Sequence, residues 1–152
     1  MRKPNQIAVV GSGTEDDAIE SQAREVCGML AERGVIVICG GLGGAMRGAS
    51  QGTKEAGGTA VGIIPGTDKD DANPFVDVTI VTGMGHARNA LVVGSADGVI
   101  ALAGGAGTLS EVALALKMRK PVVGLLAWGH IDGVMYATTP ADAVRLILEE
   151  IQ

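Results

Sequence analysis

Aromatic residues are nearly absent from this chain. Its 152 residues include Phe75, Trp128 and Tyr136 and no other aromatic side chain of that kind. Three rings cannot form the stacking platform of a single-strand nucleic-acid binder. Excess positive charge is also missing: the net charge is −5, and the basic runs are Arg2-Lys3 and Lys117-Met118-Arg119-Lys120. A nucleic-acid backbone would find little to neutralise it. Cysteine is scarce. Cys27 and Cys39 make neither a disulfide framework nor a metal-ligand spacing, and they read as reduced, buried thiols of a cytoplasmic protein. No apolar run approaches the ~20 residues of a membrane span, and the polar Met1–Gln6 start does not read as a signal peptide. No metal site and no required cofactor are expected.

What the chain has in plenty is glycine, 24 residues, and the glycines cluster after short apolar runs. Strands are expected at 7–10, 35–39, 59–64, 76–81, 98–102, 121–126 and 134–137. Helical spacing follows most of them, in segments 14–33, 45–55, 86–92 and 112–118 and in a last helix capped by Thr139 with Pro140 at its first turn. The 67–74 segment is polar and is read as the longest loop. Continuous apolar strands imply a sheet covered on both faces, and alternation with helices implies parallel pairing. The expected fold is α/β, one domain over residues 1–152. It is a Rossmann-like, doubly wound three-layer sandwich with a mainly parallel sheet of six to seven strands.

Four glycine turns follow four strands, at Gly11–Gly13, Gly40–Gly44, Gly83–Gly85 and Gly104–Gly107. In a parallel sheet they share the edge beyond the strand C-termini, where ligands of open α/β sheets bind. A strand, a glycine turn and a helix start also make an anion site, because the helix N-terminus offers unpaired N–H groups and the positive end of a dipole. The dinucleotide fingerprint does not fit: Gly11-x-Gly13 continues to Asp16, and the second strand ends Ile38-Cys39 with no ribose-binding carboxylate. No Gly-Lys-Ser/Thr occurs, so there is no Walker loop. The expected partner is a small phosphorylated molecule, with neither nucleic acid nor membrane involved.

The candidate contacts are Gly11, Ser12, Gly41, Gly43, Gly44, Met46, Arg88, Gly104, Gly105, Gly107, Thr108 and Glu111. Thr14 with Asp17 fits a capping box for the first helix. Thr108-x-x-Glu111 fits two roles: a capping box, with Thr108 as N-cap, or a carboxylate turned toward the ligand. Arg88, at a helix start, opposes the dipole unless an anion sits beside it. It is expected to bind that anion, and its removal is expected to cost little stability. Arg47, on the first turn of the second helix, suits a second anion contact or, as the preferred reading, a solvent-facing side chain. Met46 and Met84 suit either an apolar wall for a flat ring or the core.

Gly40-Gly41-x-Gly43-Gly44-x-Met46, His86-x-Arg88 and Gly104-Gly105-x-Gly107-Thr108-x-x-Glu111 resemble, in order and separation, the motifs of the LOG (cytokinin riboside 5′-monophosphate phosphoribohydrolase) superfamily. Within it, Thr82–Asn89 and Ala113–Lys117 are most similar to the molybdenum-cofactor carrier branch. The resemblance implies a Rossmann-like homodimer or higher homo-oligomer. In a hydrolase, it implies Arg88 and Glu111 as catalytic residues for N-glycosidic cleavage of a nucleoside 5′-monophosphate. In a carrier, it implies a molybdenum cofactor as cargo without turnover. Ala103, Ser110 and Asn89 replace the Pro, Glu and Lys usual in the hydrolases, which favours binding over cleavage.

Overall fold

A computed structural model describes residues 2–152. Seven strands form one parallel sheet: β1 (Gln6–Val10), β2 (Ile36–Cys39), β3 (Ala60–Ile64), β4 (Val78–Val81), β5 (Gly98–Ala101), β6 (Val122–Leu125) and β7 (Val134–Ala137). Their order is β4-β3-β2-β1-β5-β6-β7. The chain steps outward from β1 to β4, then returns to the other side of β1. Ile7 therefore pairs with Val37 on one side and with Gly98 on the other. The switch in strand order lies between β1 and β5, so the loops after these two strands diverge and leave a crevice.

Five helices cover the sheet: α1 (Asp17–Glu32), α2 (Ala45–Glu55), α3 (Arg88–Gly94), α4 (Ala106–Lys117) and α5 (Pro140–Glu150). One core joins Ile7, Val9 and Ile100 to Val26 and Leu30 of α1, Ala49 of α2 and Ile147 of α5. The other joins Ala8, Val10 and Val99 to Val92 of α3 and Val112 of α4. Alternate residues of β1 point into opposite cores, which is why Ile7–Val10 is apolar throughout. Three layers result, as the sequence pattern implies.

α1 and α2 meet backbone to backbone. A Cβ on Gly48 would stand 2.2 Å from the carbonyl oxygen of Glu20, and one on Gly52 would stand 2.0 Å from that of Arg24. The spacing Gly48-x-x-x-Gly52 clears one face of α2 along its length.

Three local expectations need correction. Asp16, not Thr14, caps α1: its carboxylate accepts from the N–H groups of Ala18 and Ile19 at 3.0 and 3.2 Å. The Ser12 hydroxyl takes the Thr14 N–H at 3.1 Å and keeps that residue in the loop. α4 starts at Ala106 with Gly105 as N-cap and no side-chain cap bond, so Thr108 lies inside the helix and the capping-box reading fails. β3 reaches β4 through residues 65–77, which carry only a 3-10 turn, Lys69–Asp71. With no helix in that crossover, β4 is a mostly exposed edge rather than a strand covered on both faces.

Candidate functional site

The crevice at the switch point is a cavity of about 270 Å³. It holds roughly nine waters' worth of space at about 30 Å³ each, room for a phosphate and an adjoining ring. Gly11–Thr14, Gly40, Met46, His86, Arg88, Asn89, Gly105, Gly107, Thr108 and Glu111 line it. Eight of the sequence candidates therefore meet there: Gly11, Ser12, Met46, Arg88, Gly105, Gly107, Thr108 and Glu111.

Gly41, Gly43, Gly44 and Gly104 stand behind the wall instead. Gly44 has φ +61°, and a Cβ on it would lie 2.2 Å from the Ser12 carbonyl oxygen. A Cβ on Gly104 would lie 2.2 Å from Thr108 Oγ1 and 2.9 Å from the Ser12 nitrogen. Gly41, at φ +80°, lies so close to Ile64 that a Cβ would be 2.7 Å from its Cγ2. These glycines let three loops close on one another. Only glycine tolerates both the left-handed turns and that proximity.

Of the helices that start at this edge, α2 and α4 differ in how their first turns are met. At α2 the Ala45 N–H donates to the Ser12 carbonyl at 2.8 Å and the Met46 N–H to the Gly43 carbonyl at 3.2 Å. That end is occupied by its own chain. At α4 no side chain caps the first turn, and Gly105, Gly107 and Thr108 face the cavity. Unpaired N–H groups with the positive end of the dipole favour an anion there by about 0.3–1 kcal/mol, and by up to about 2 kcal/mol when partly buried.

Arg88 is not the exposed cation its position in the sequence suggests. It is 8% exposed. Its Nε donates to the Ile63 carbonyl at 2.9 Å, its Nη1 to Asn89 Oδ1 and its Nη2 toward the Gly40 carbonyl at 3.5 Å. The guanidinium sits so near Gly40 that a Cβ there would be 2.8 Å from Nη2. The expectation that its loss costs little stability is corrected accordingly: the side chain ties α3 to the ends of β2 and β3. It remains a fixed positive charge in the cavity wall.

Glu111 is also 8% exposed, and no described residue donates a hydrogen bond to its carboxylate. Burial pushes its pKa up to about 7, and the nearby Arg88 charge pulls it only partly back. The ion pairs among the described residues join Arg24 to Glu55, Lys54 to Asp77, and Arg145 to Asp142 and Glu149. Arg88 and Glu111 thus share a cavity without closing on each other. A carboxyl that opens on the cavity with no protein donor is set to meet a ligand donor, or to hold a proton of its own.

The remaining candidates fall elsewhere. Arg47 is exposed, as expected, and its guanidinium lies over the Phe75 ring, 5.3 Å from the centroid, outside the cavity lining. Met84 is exposed. Cys39 is buried beside Ser50, and burial raises its thiol pKa. Trp128 donates its indole N–H to the Leu102 carbonyl at 2.8 Å and braces the end of β5. Sequence reasoning missed Asn73 as a support. Its N–H donates to the Gly41 carbonyl at 2.8 Å and its Nδ2 to the Leu42 carbonyl at 2.9 Å, so it props the Gly40–Gly44 loop. The only signal was an Asn before a proline in a polar stretch, which reads as a turn.

A seven-stranded parallel α/β sheet with its crevice at the switch point defines a Rossmann-like ligand-binding fold. The chain belongs to the SLOG cluster4 family, whose model matches residues 4–150. A solved molybdenum cofactor binding protein from Rippkaea orientalis is 39% identical, with a TM-score of 0.92 over 100% of this chain and 99% of that one. The molybdenum cofactor carrier protein of Chlamydomonas reinhardtii is 33% identical, with a TM-score of 0.87 over 97% and 98%. Cytokinin riboside 5′-monophosphate phosphoribohydrolase of Mycobacterium tuberculosis is 34% identical over 121 residues, covering 74% of this chain and 65% of that enzyme. No helix among the described residues is long and apolar enough to cross a membrane.

Proposed function

We propose that this protein holds a small phosphate ester in the β1–β5 crevice, as a carrier of a phosphorylated pterin cofactor of the molybdenum cofactor kind. The observation that carries this reading is the uncapped first turn of α4, open to the cavity between Arg88 and the Ser12 loop. The phosphate meets the N–H groups of that turn, with the Thr108 hydroxyl and the Arg88 charge beside it. Glu111 takes hydrogen bonds from the ligand's hydroxyl or ring N–H groups. Met46 supplies apolar surface next to them. Full-length likeness to proteins that bind or carry the molybdenum cofactor supports this choice of cargo. In this role the metal travels with the cargo, and these residues contact its organic part.

The test is a thermal-shift titration with inorganic phosphate, AMP and a pterin phosphate, followed by native mass spectrometry of the loaded protein. Stabilisation that saturates, strongest for the pterin phosphate and absent for the unphosphorylated pterin, supports the carrier. Equal stabilisation by both pterins removes the phosphate from the reading.

One observation favours a second reading, a nucleoside 5′-monophosphate phosphoribohydrolase. Glu111, with a pKa of about 7 beside Arg88, is suited to proton transfer near neutral pH. In that reaction the bond from C1′ to the base nitrogen breaks, the base takes up a proton and water adds to C1′. Incubation with AMP decides it: free adenine and ribose 5-phosphate, lost in Glu111→Ala, establish turnover.

A further inference from the structure

When Glu111 ionises, it and Arg88 carry opposite charges in one small cavity, yet the two make no ion pair. In a buried site two such groups attract strongly. Something must hold the guanidinium away from the carboxylate, and the side chain placed to do so is Asn89. It is 4% exposed. Its Oδ1 accepts from Arg88 Nη1. Its Nδ2 donates to Ser110 Oγ at 3.1 Å and toward the Gly107 carbonyl at 3.5 Å. The Ser110 hydroxyl in turn donates to the Gly107 carbonyl at 2.6 Å. A chain of hydrogen bonds therefore runs from Arg88 on α3 to the first turn of α4, the turn that opens onto the cavity.

We infer that Asn89, anchored by Ser110, is a positioning residue that keeps Arg88 from collapsing onto Glu111 and so holds the anion site open. Ile63 and Gly40 fix one side of the guanidinium, and Asn89 fixes the other. With both sides fixed, the positive charge stays beside the α4 N–H groups and Glu111 stays free for the ligand. The amide is suited to this because it accepts from the cation at one end, donates to α4 at the other and carries no charge of its own. The titratable and charged groups placed about Glu111 are Arg88 from α3, His86 from the turn before it and the Cys39 thiol from the end of β2. Arg88 is the nearest permanent charge among them, so the Glu111 titration reports where Arg88 sits.

This inference rests on the proposed binding site for its ligand measurement only. The other measurement is made without ligand, so the two can fail separately. Glu111 is titrated by NMR of its side-chain carboxyl carbon in wild type, Asn89→Ala, Asn89→Asp and Ser110→Ala. Phosphate affinity is measured in parallel with inorganic phosphate and AMP as probes. In Asn89→Ala the guanidinium swings onto Glu111, and the titration midpoint falls by about one unit or more. In Asn89→Asp a new carboxylate holds Arg88 and screens it from Glu111, so the midpoint rises. Ser110→Ala moves it the same way as Asn89→Ala, by less. Probe affinity falls about tenfold or more in both Asn89 variants. A midpoint unchanged in Asn89→Ala, whatever its melting temperature, reduces Asn89 to packing and overturns the inference. A shift in the same direction in Asn89→Ala and Asn89→Asp overturns it too. If wild type binds neither probe while the midpoints still move in opposite directions, the positioning role stands and the proposed function fails.

Discussion

The backbone N–H of Ser12 donates to the carbonyl of Ala103 at 2.8 Å. That bond joins the loop after β1 to the loop after β5 across the switch point. The Ser12 carbonyl accepts from the Ala45 N–H at 2.8 Å and brings in the start of α2. One residue thus gathers three glycine turns, and Gly44 and Gly104 leave the room for it.

Filling that room should unmake the site from behind. Gly44→Ala places a methyl against the Ser12 carbonyl at a residue of positive φ. The cost combines overpacking with left-handed strain, about 2–4 kcal/mol together. Chemical denaturation should show this loss of stability.

Gly107→Ala makes the contrasting case. A Cβ at Gly107 meets nothing within 4 Å, and the residue lies in the first turn of α4 beside the cavity. The variant should fold at least as stably, with a gain of up to about 1 kcal/mol from helix propensity. Binding of phosphate esters, read by calorimetry, should weaken as the methyl enters the anion cradle. Unchanged affinity would put the phosphate elsewhere.

Arg88→Ala should lose stability as well as ligand. It removes the donors to Ile63 and Gly40 and leaves their carbonyls unpaired, at a cost of about 3 kcal/mol. A melting temperature equal to wild type would contradict that buried role.

Glu111→Gln tests the carboxyl through pH. The folded-state pKa of Glu111 is raised to about 7 from an ordinary 4.5, so the folded chain binds the extra proton between those values. Its stabilising contribution is fully present below about 4.5 and is lost as pH rises through about 7. The penalty above pH 7 is on the order of 3 kcal/mol. The glutamine variant should therefore gain stability relative to wild type at pH 8 and little at pH 5. Parallel melting curves for the two proteins across that range would refute the shift.

Much of this architecture could be read from residue order. Apolar runs such as Ile7–Val10 and Val122–Leu125 can only be buried strands, and the glycine turns behind them mark the ligand edge. The start of α4 was less legible: Thr108 and Glu111 match a capping box in spacing, and spacing alone does not tell an N-cap from the third residue of a helix. Asp16 took the cap because it stands next to the first helical residue, where its carboxylate reaches the N–H groups of Ala18 and Ile19. The burial of Arg88 was invisible, since its acceptors at Gly40 and Ile63 are carbonyls from strands far away in sequence.

The contact of Gly48 and Gly52 with the backbone of α1 has a mechanical consequence. α1 follows the Gly11–Thr14 loop and α2 follows the Gly40–Gly44 loop, and two helices locked at their backbones translate together. One jaw of the crevice is therefore a single stiff slab carrying both loops. The other jaw is the start of α4, tethered through Asn89 to α3. Beyond the paired ends of β1 and β5 the Ser12–Ala103 bond ties the two jaws together, so the floor of the crevice is as stiff as its sides.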